Sequence, residues 1–282
     1  GVLGNAVDFA EMFQGRYQAG GASDGSRGIV GGGDGPHDTI EYLAISTLAD
    51  GKDFGELTVS RRNSDGASDG SRGVFSAGYP VIDTIDYITI GIQGNALDFG
   101  DLTQGRRYVS SVSNGQRAAT AGGMSPPRVN TIDYISIPVL GNASDFGDRT
   151  VSTNGQGGAS DGSRGVFGGG AAPGAVNTMD YITIETTGNA RDFGDLITAR
   201  QDGSATSDGT RGVFGGGGDP EPTVLLGDAN NDDQVTGSDL IAVQQNFGTV
   251  YQFDSSCDGL GLGDANDDCQ VTGSDLIAVQ QN

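Results

Sequence analysis

Short apolar runs of β-branched and aromatic residues, divided by Gly, Asn and Asp, recur through the first 218 residues. The run TIDYITI carries Ile85 and Tyr87 on one face and Ile88 and Ile90 on the other. Alternating positions that are apolar on both sides predict a strand covered on both faces. RGVF, ending in a Gly-rich bend, predicts a second short strand. The stretch around GNALDFGDL predicts a third, and the Arg-Arg-Tyr or Thr-Val-Ser segment a fourth. The Gly, Asn and Asp residues between them suit tight turns.

The strands repeat as a group. Asp-Phe recurs at Asp8-Phe9, Asp53-Phe54, Asp98-Phe99, Asp145-Phe146 and Asp192-Phe193, in steps of 45, 45, 47 and 47 residues. The motif SDGSRG places Arg27, Arg72, Arg117, Arg164 and Arg211 at the same steps, with a degenerate third copy. TIDYITI occurs four times, centred on Tyr42, Tyr87, Tyr134 and Tyr181. Three or four short strands in each period of this length fit a propeller blade. A residue repeated in every copy serves blade packing or turns, so the repeated arginines are expected to pair with Asp or with turn carbonyls between blades.

This order of motifs resembles kelch-type propeller repeats of a Gly-rich variety over residues 1–218, with Phe of the Asp-Phe pair in place of the usual Trp. The resemblance implies an all-β five-bladed propeller. Residues 1–5 align with residues 138–142, so one blade would be assembled from both ends of the repeat region and lack its TIDYITI strand. Residues 219–226 form a linker or the seam strand, with Thr223-Val224-Leu225-Leu226 as its core. A strand from a neighbouring molecule, added along the edge, is one alternative, and a clipped chain is another.

Charge divides the chain further. The net charge is −22. Residues 1–226 hold all 15 bases and 27 of the 37 acids, and residues 227–282 hold ten Asp and no base. The second segment needs cations to neutralise it. No basic face exists for nucleic acid, and no apolar run is long enough to span a membrane. Gly accounts for 51 of 282 residues, far above the usual ~7%. Its regular placement reads as turns rather than disorder. Gly1 in the place of Met reads as a processed product.

The acidic segment has its own repeat. Residues 228–239 read DANNDDQVTGSD and residues 264–275 read DANDDCQVTGSD, each followed by LIAVQQN. Asp228, Asn230, Asp232 and Asp239, and again Asp264, Asn266, Asp268 and Asp275, place oxygen donors at loop positions 1, 3, 5 and 12. Gln234 and Gln270 supply a backbone carbonyl, and Thr236 and Thr272 a hydroxyl or a water. Such oxygen-only sets suit Ca2+, and two ions are expected. The pattern resembles a type I dockerin over residues 227–282, which implies a small α-helical module of paired F-hand loops. Its docking helices would run over 238–246 and 274–281, with Ser238, Leu240, Ser274 and Leu276 near their starts. Position 6, a Gly in the usual loop, is Asp233 and Cys269 here. A Cys257–Cys269 disulfide would close a short loop in this module and imply an oxidising, extracellular setting.

Catalytic constellations are not evident. His37 is the single His, in a Gly-rich loop, and the Asp pairs such as Asp98 with Asp101 recur as turn residues do. One glycosylation triplet, Asn142-Ala143-Ser144, falls in a repeated turn. The expectation is a secreted or cell-surface, non-enzymatic structural protein. Its protein partners would be further copies of itself in a fibre, or a cohesin-like domain. A carbohydrate-binding lectin or adhesin, with a glycan as ligand, is the alternative.

Overall fold

The computed structural model describes residues 8–35, 37–47 and 49–218. They are all β structure, without a helix, arranged as a β-propeller. The first sheet contains β1 (Gly20–Ser23), β2 (Arg27–Gly31), β3 (Thr39–Ala44) and β4 (Lys52–Glu56). The second contains β5 (Asp65–Ser68), β6 (Arg72–Ser76), β7 (Thr84–Thr89) and β8 (Leu97–Asp101). The third contains β9 (Ser110–Ser113), β10 (Arg117–Ala121), β11 (Thr131–Ser136) and β12 (Ser144–Asp148). Each is an antiparallel meander in chain order.

The fourth sheet is larger. It orders β13 (Gly157–Ser160), β14 (Arg164–Gly168), β16 (Gly174–Thr183), β17 (Arg191–Ser207) and β18 (Gly212–Gly218), and the short β15 (Ala171–Ala172) pairs with β16. Strand β17 begins as the outer strand of this blade, pairing Arg191–Arg200 with β16. It then runs on as Gln201–Ser207, which pairs with β18. Among the described residues these last two strand segments are what the fifth repeat contributes, a hairpin where the other repeats have a four-stranded sheet.

Three strands of each blade lie where their composition puts them. The innermost does not: it is GGAS, DGAS, SSVS or GGAS, just before the SDGSRG loop, rather than the Arg-Arg-Tyr or Thr-Val-Ser segment. These strands crowd around a central channel, where large side chains have no room. A Cβ on Gly66 would stand 2.2 Å from the Gly21 carbonyl oxygen. Small residues are required there, and they carry little β propensity of their own.

The Asp-Phe-Gly triplet has a geometric cause. In the second blade Ile85 faces Gly100 and Asp86 faces Asp98, so Phe99 is the extra residue of a β-bulge. The same register shift leaves Phe54, Phe146 and Phe193 unpaired in the other sheets. Each bulged Phe meets the Tyr of the neighbouring strand edge to face, with centroids 5.9–6.1 Å apart. The Gly that follows has positive φ (142° at Gly100), and a Cβ there would lie 2.6 Å from the Gly141 carbonyl of the next blade.

Core residues gather between blades. One cluster joins Phe54 and Leu57 to Phe75, Ile88 and Ile90, a second joins Phe99 to Ile135 and Ile137, and a third joins Phe146 to Phe167, Ile182 and Ile184. The outer Phe of one blade is thus covered by the third strand of the next. Hydrogen bonds repeat the join. The carbonyls of Phe54, Phe99 and Phe146 accept the N–H of Gly94, Gly141 and Gly188, at 2.9, 2.9 and 2.7 Å.

Candidate functional site

An arginine and a carboxylate are buried together in each sheet. Arg61 Nη2 lies 2.8 Å from Asp86 Oδ2, and both side chains are wholly buried. Arg106 meets Asp133 at 2.9 Å, Arg149 meets Asp180 at 3.0 Å, and Arg16 meets Glu41. The carboxylate comes from the third strand, and also accepts from the start of the bend beyond the outer strand. Asp86 takes the N–H and hydroxyl of Thr58, Asp133 those of Thr103, and Asp180 those of Thr150. Arg61 further donates to the carbonyls of Ala77 and Thr84. Burial lowers the pKa of Arg61, Arg106 and Arg149, and the adjacent carboxylate opposes that shift. Buried ions stay charged where partners such as these offset the loss of water.

The fourth blade reaches the same arrangement by another route. By repeat spacing, Arg61 and Arg106 correspond to Thr153, while Leu57 and Leu102 correspond to Arg149. The two side chains have exchanged places. Arg149 comes from the leucine position, and its guanidinium bonds both Asp180 and the Thr153 hydroxyl. These pairs are absent from the sequence reading, although Arg16, Arg61 and Arg106 recur at the repeat step ahead of an acidic residue in each Tyr strand.

The SDGSRG arginines bind carbonyls across blades. Arg27 donates to Ile90 O at 2.8 Å, Arg72 to Ile137 O at 2.5 Å, and Arg117 to Ile184 O and Glu185 O. Each also lies over the Tyr of its own blade, 4.6–5.4 Å from the ring centre. The Asp of the motif closes the loop. Asp24 Oδ1 accepts the N–H of Ser26 and Arg27, and the backbone bond from Arg27, ahead of that from Ser26, lowers its pKa.

Five equivalent stations line the channel, a cavity of about 500 Å³. Gln18, Asn63, Tyr108, Gly155 and Asp202 all have left-handed φ between 57° and 67°. They join in series: Asn63 N–H donates to Gln18 O, Tyr108 to Asn63, Gly155 to Tyr108, and Asp202 to Gly155, at 2.8–3.0 Å. The fifth repeat therefore continues this series, although it contributes only two strand segments among the described residues. Asp65 sits on the channel wall, where it accepts the Ser111 N–H at 2.7 Å. Burial raises its pKa to about 6, against the hydrogen bonds it accepts.

The fifth repeat also has an open edge. In complete blades the second strand lies between the first and the Tyr strand, whereas β18 pairs only with β17 among the described residues. Val213, equivalent to the buried Val74, is 62% exposed. Phe193 is 47% exposed where Phe99 is 3% exposed. Arg164 turns back to Asp161 of its own loop, at 3.2 Å. Arg200 donates to Gly216 O, as Arg61 does to Ala77 O, and meets no carboxylate among the described residues. At the other end of the repeats, Glu11 O accepts Gly51 N–H at 2.8 Å, as Glu56 O accepts Ala96 N–H at 2.7 Å. The segment 8–11 thus holds the place of an outer strand.

The remaining residues singled out from the sequence divide by location. Asn142 lies in the GNA turn, and its Oδ1 accepts the Asp101 N–H at 3.1 Å, as Asn95 and Asn189 do for Glu56 and Asp148. His37 is half-buried, with Nε2 3.2 Å from Gln14 Nε2. Among the described residues, no three His, Cys, Asp or Glu side chains converge as metal ligands do. The calcium ligands 228–239 and 264–275, both cysteines, and the helix residues Ser238, Leu240, Ser274 and Leu276 all lie outside the described residues. Compared with known proteins, the sequence matches no family model and no curated protein.

Proposed function

We propose that this chain is an extracellular, non-enzymatic building block: a five-bladed kelch-like propeller joined to protein partners by a calcium-stabilised, dockerin-like module. The observation that carries the reading is the doubled loop, with oxygen donors at positions 1, 3, 5 and 12 at an offset of 36 residues and no base from residue 227 onward. Two Ca2+ would be held by Asp228, Asn230, Asp232, Gln234, Thr236 and Asp239 and by their counterparts Asp264, Asn266, Asp268, Gln270, Thr272 and Asp275. Binding free energy of that kind becomes folding free energy of the module.

The propeller supports this reading through where its recurring residues are used. The repeated Arg, Asp, Tyr and Phe side chains join blade to blade, giving a rigid block. The fifth blade is counted here from the hairpin at 201–218 and the outer-strand position at 8–11. The partner is read as a further copy of the chain, since a contact between unlike faces that does not close gives a filament. Negative-stain imaging and light scattering in calcium, then in excess chelator, test this. The expected result is elongated assemblies in calcium that fall apart on chelation. Monodisperse monomers in both conditions would sink the reading, and capture by a cohesin-type scaffold would redirect it to a separate partner.

A further inference from the structure

We infer that Asn114 is a site of self-modification, at which the Gly115 nitrogen attacks the side-chain amide, expels ammonia and leaves aspartate or isoaspartate after hydrolysis. The site is the turn between β9 and β10, where the SDGSRG motif is degenerate. Residues 113–117 read Ser-Asn-Gly-Gln-Arg there, so an amide stands where Asp24, Asp69, Asp161 and Asp208 stand in the other copies.

The turn keeps its shape in every repeat, and only the electrophile differs. Gly115 has a φ of 83°, against 84°, 86°, 85° and 84° at Gly25, Gly70, Gly162 and Gly209. Asn114 Oδ1 accepts the N–H of Gln116 at 2.9 Å and of Arg117 at 2.7 Å. Asp161 Oδ1 accepts those of Ser163 and Arg164 at 2.8 and 2.6 Å. The backbone bond from the arginine, and then that from the residue before it, lowers the pKa of Asp24, Asp161 and Asp208. Those carboxyls are therefore held ionised, and their charge repels an attacking nitrogen. The neutral amide of Asn114 has no such protection. As nitrogen adds to its Cγ, negative charge develops on Oδ1, and the same two N–H groups lie where an oxyanion needs them. The attacking residue is Gly, with no Cβ to obstruct the approach. In the step the Gly115 N–Cγ bond forms and the Cγ–Nδ2 bond breaks. The Gly115 proton goes to solvent base, and Nδ2 leaves as ammonia with a proton from water. Water then opens the five-membered ring, so the sum is amide plus water to acid plus ammonia.

An internal control is built into the chain. Asn114-Gly115-Gln116 and Asn154-Gly155-Gln156 share their local sequence and differ in setting. The Gly155 N–H is a link of the channel series, donating to Tyr108 O at 3.0 Å. Asn154 is buried, its N–H and carbonyl both pair with Ala171, and its Oδ1 accepts from Arg128 Nε at 2.5 Å. The Gly115 N–H is held instead by the neighbouring Ser113 hydroxyl, at 2.9 Å, in a half-buried turn. Conversion at Asn114 also has a consequence for the propeller. Asn114 Nδ2 donates to Glu185 Oε1 of the fourth blade, beside the bonds from Arg117 to Ile184 O and Glu185 O. The product sets carboxylate against carboxylate across that join.

The inference goes beyond the assembly reading and does not rest on it. The test ages the full chain in mildly alkaline buffer, native and in urea, and follows both Asn-Gly peptides by mass spectrometry. The expected result is conversion of amide to acid at Asn114 in the native chain, about tenfold or more faster than at Asn154, a ratio equivalent to about one hydrogen bond in the barrier. In urea the two rates should draw together. An Asn114 that stays intact in the native chain while the unfolded chain converts overturns the inference. Equal native rates at the two sites overturn it as well, because the fold would then select neither. Asn114→Gln cannot close the five-membered ring and should abolish the mass gain of that peptide. A gain that persists in this variant places the modification on another residue and also overturns the inference.

Discussion

Arg61 and Arg200 stand at the same point of the second and fifth repeats, and among the described residues the neighbourhoods differ by one strand. Around Arg61 the guanidinium finds carbonyls on two strands and the carboxylate of Asp86, all out of water. Around Arg200 the second-strand carbonyl is present and the rest is missing among the described residues. The same contrast runs through Phe99 and Phe193, Val74 and Val213, and Arg72 and Arg164. What it teaches is that the Tyr strand organises each blade join: it brings the buried charge, covers the preceding blade's Phe, and offers the carbonyl that anchors the preceding loop.

The largest test of that contrast removes a buried charge. Arg61→Met or Asp86→Asn should cost about 3–5 kcal/mol in urea unfolding, because the partner left behind is stranded in the core. Arg200→Met should cost under about 1 kcal/mol in the free chain, as partly exposed ions contribute little. Equal losses at the two sites would break the comparison. Next in size, Phe99→Ala should cost about 3 kcal/mol through the cavity it leaves, and Phe193→Ala less than half of that.

A pH series sharpens the picture at the channel. The Asp65 carboxyl is raised from its ordinary value of 3.8 to about 6 in the folded chain. The folded state therefore holds the proton more tightly than the unfolded state. Its contribution is fully favourable below about pH 4 and is lost as pH rises through about 6. Asp65→Asn should match the parent at pH 4 and gain on it steadily up to pH 7, with no further change above. A difference independent of pH would place the titration elsewhere. The smallest effect belongs to the loop arginines: Arg72→Ala should cost about 1 kcal/mol, and Arg164→Ala should be close to neutral by the same measurement.

Much of this was legible in the residues because the repeat is strict where geometry is strict. The period, the Tyr strand, the RGVF strand and the Asp-Phe strand follow from β-branched and aromatic runs at regular steps. The innermost strand was not legible, since Gly21, Gly66 and Ala67 are chosen for clearance at the channel and read as turn formers. The buried pairs were also hidden. Asp86 lies within an apolar run and Arg61 well before it, and spacing alone cannot show that they meet. The count of four Tyr strands against five Asp-Phe pairs set the fifth repeat apart in the sequence, and among the described residues it is there that Phe193 and Val213 are exposed.

The exchange at Leu102 and Arg106 against Arg149 and Thr153 bears on how such a repeat can drift. The quantity held constant is the location of a positive charge in space, and two different backbone positions can deliver it. The two single steps between these solutions are both poor. Changing Leu to Arg first sets two guanidinium groups against one carboxylate, and changing Arg to Thr first leaves the carboxylate alone in the core. The two positions are therefore expected to tolerate change together and not singly, which a double-mutant cycle at Arg149 and Thr153 would show.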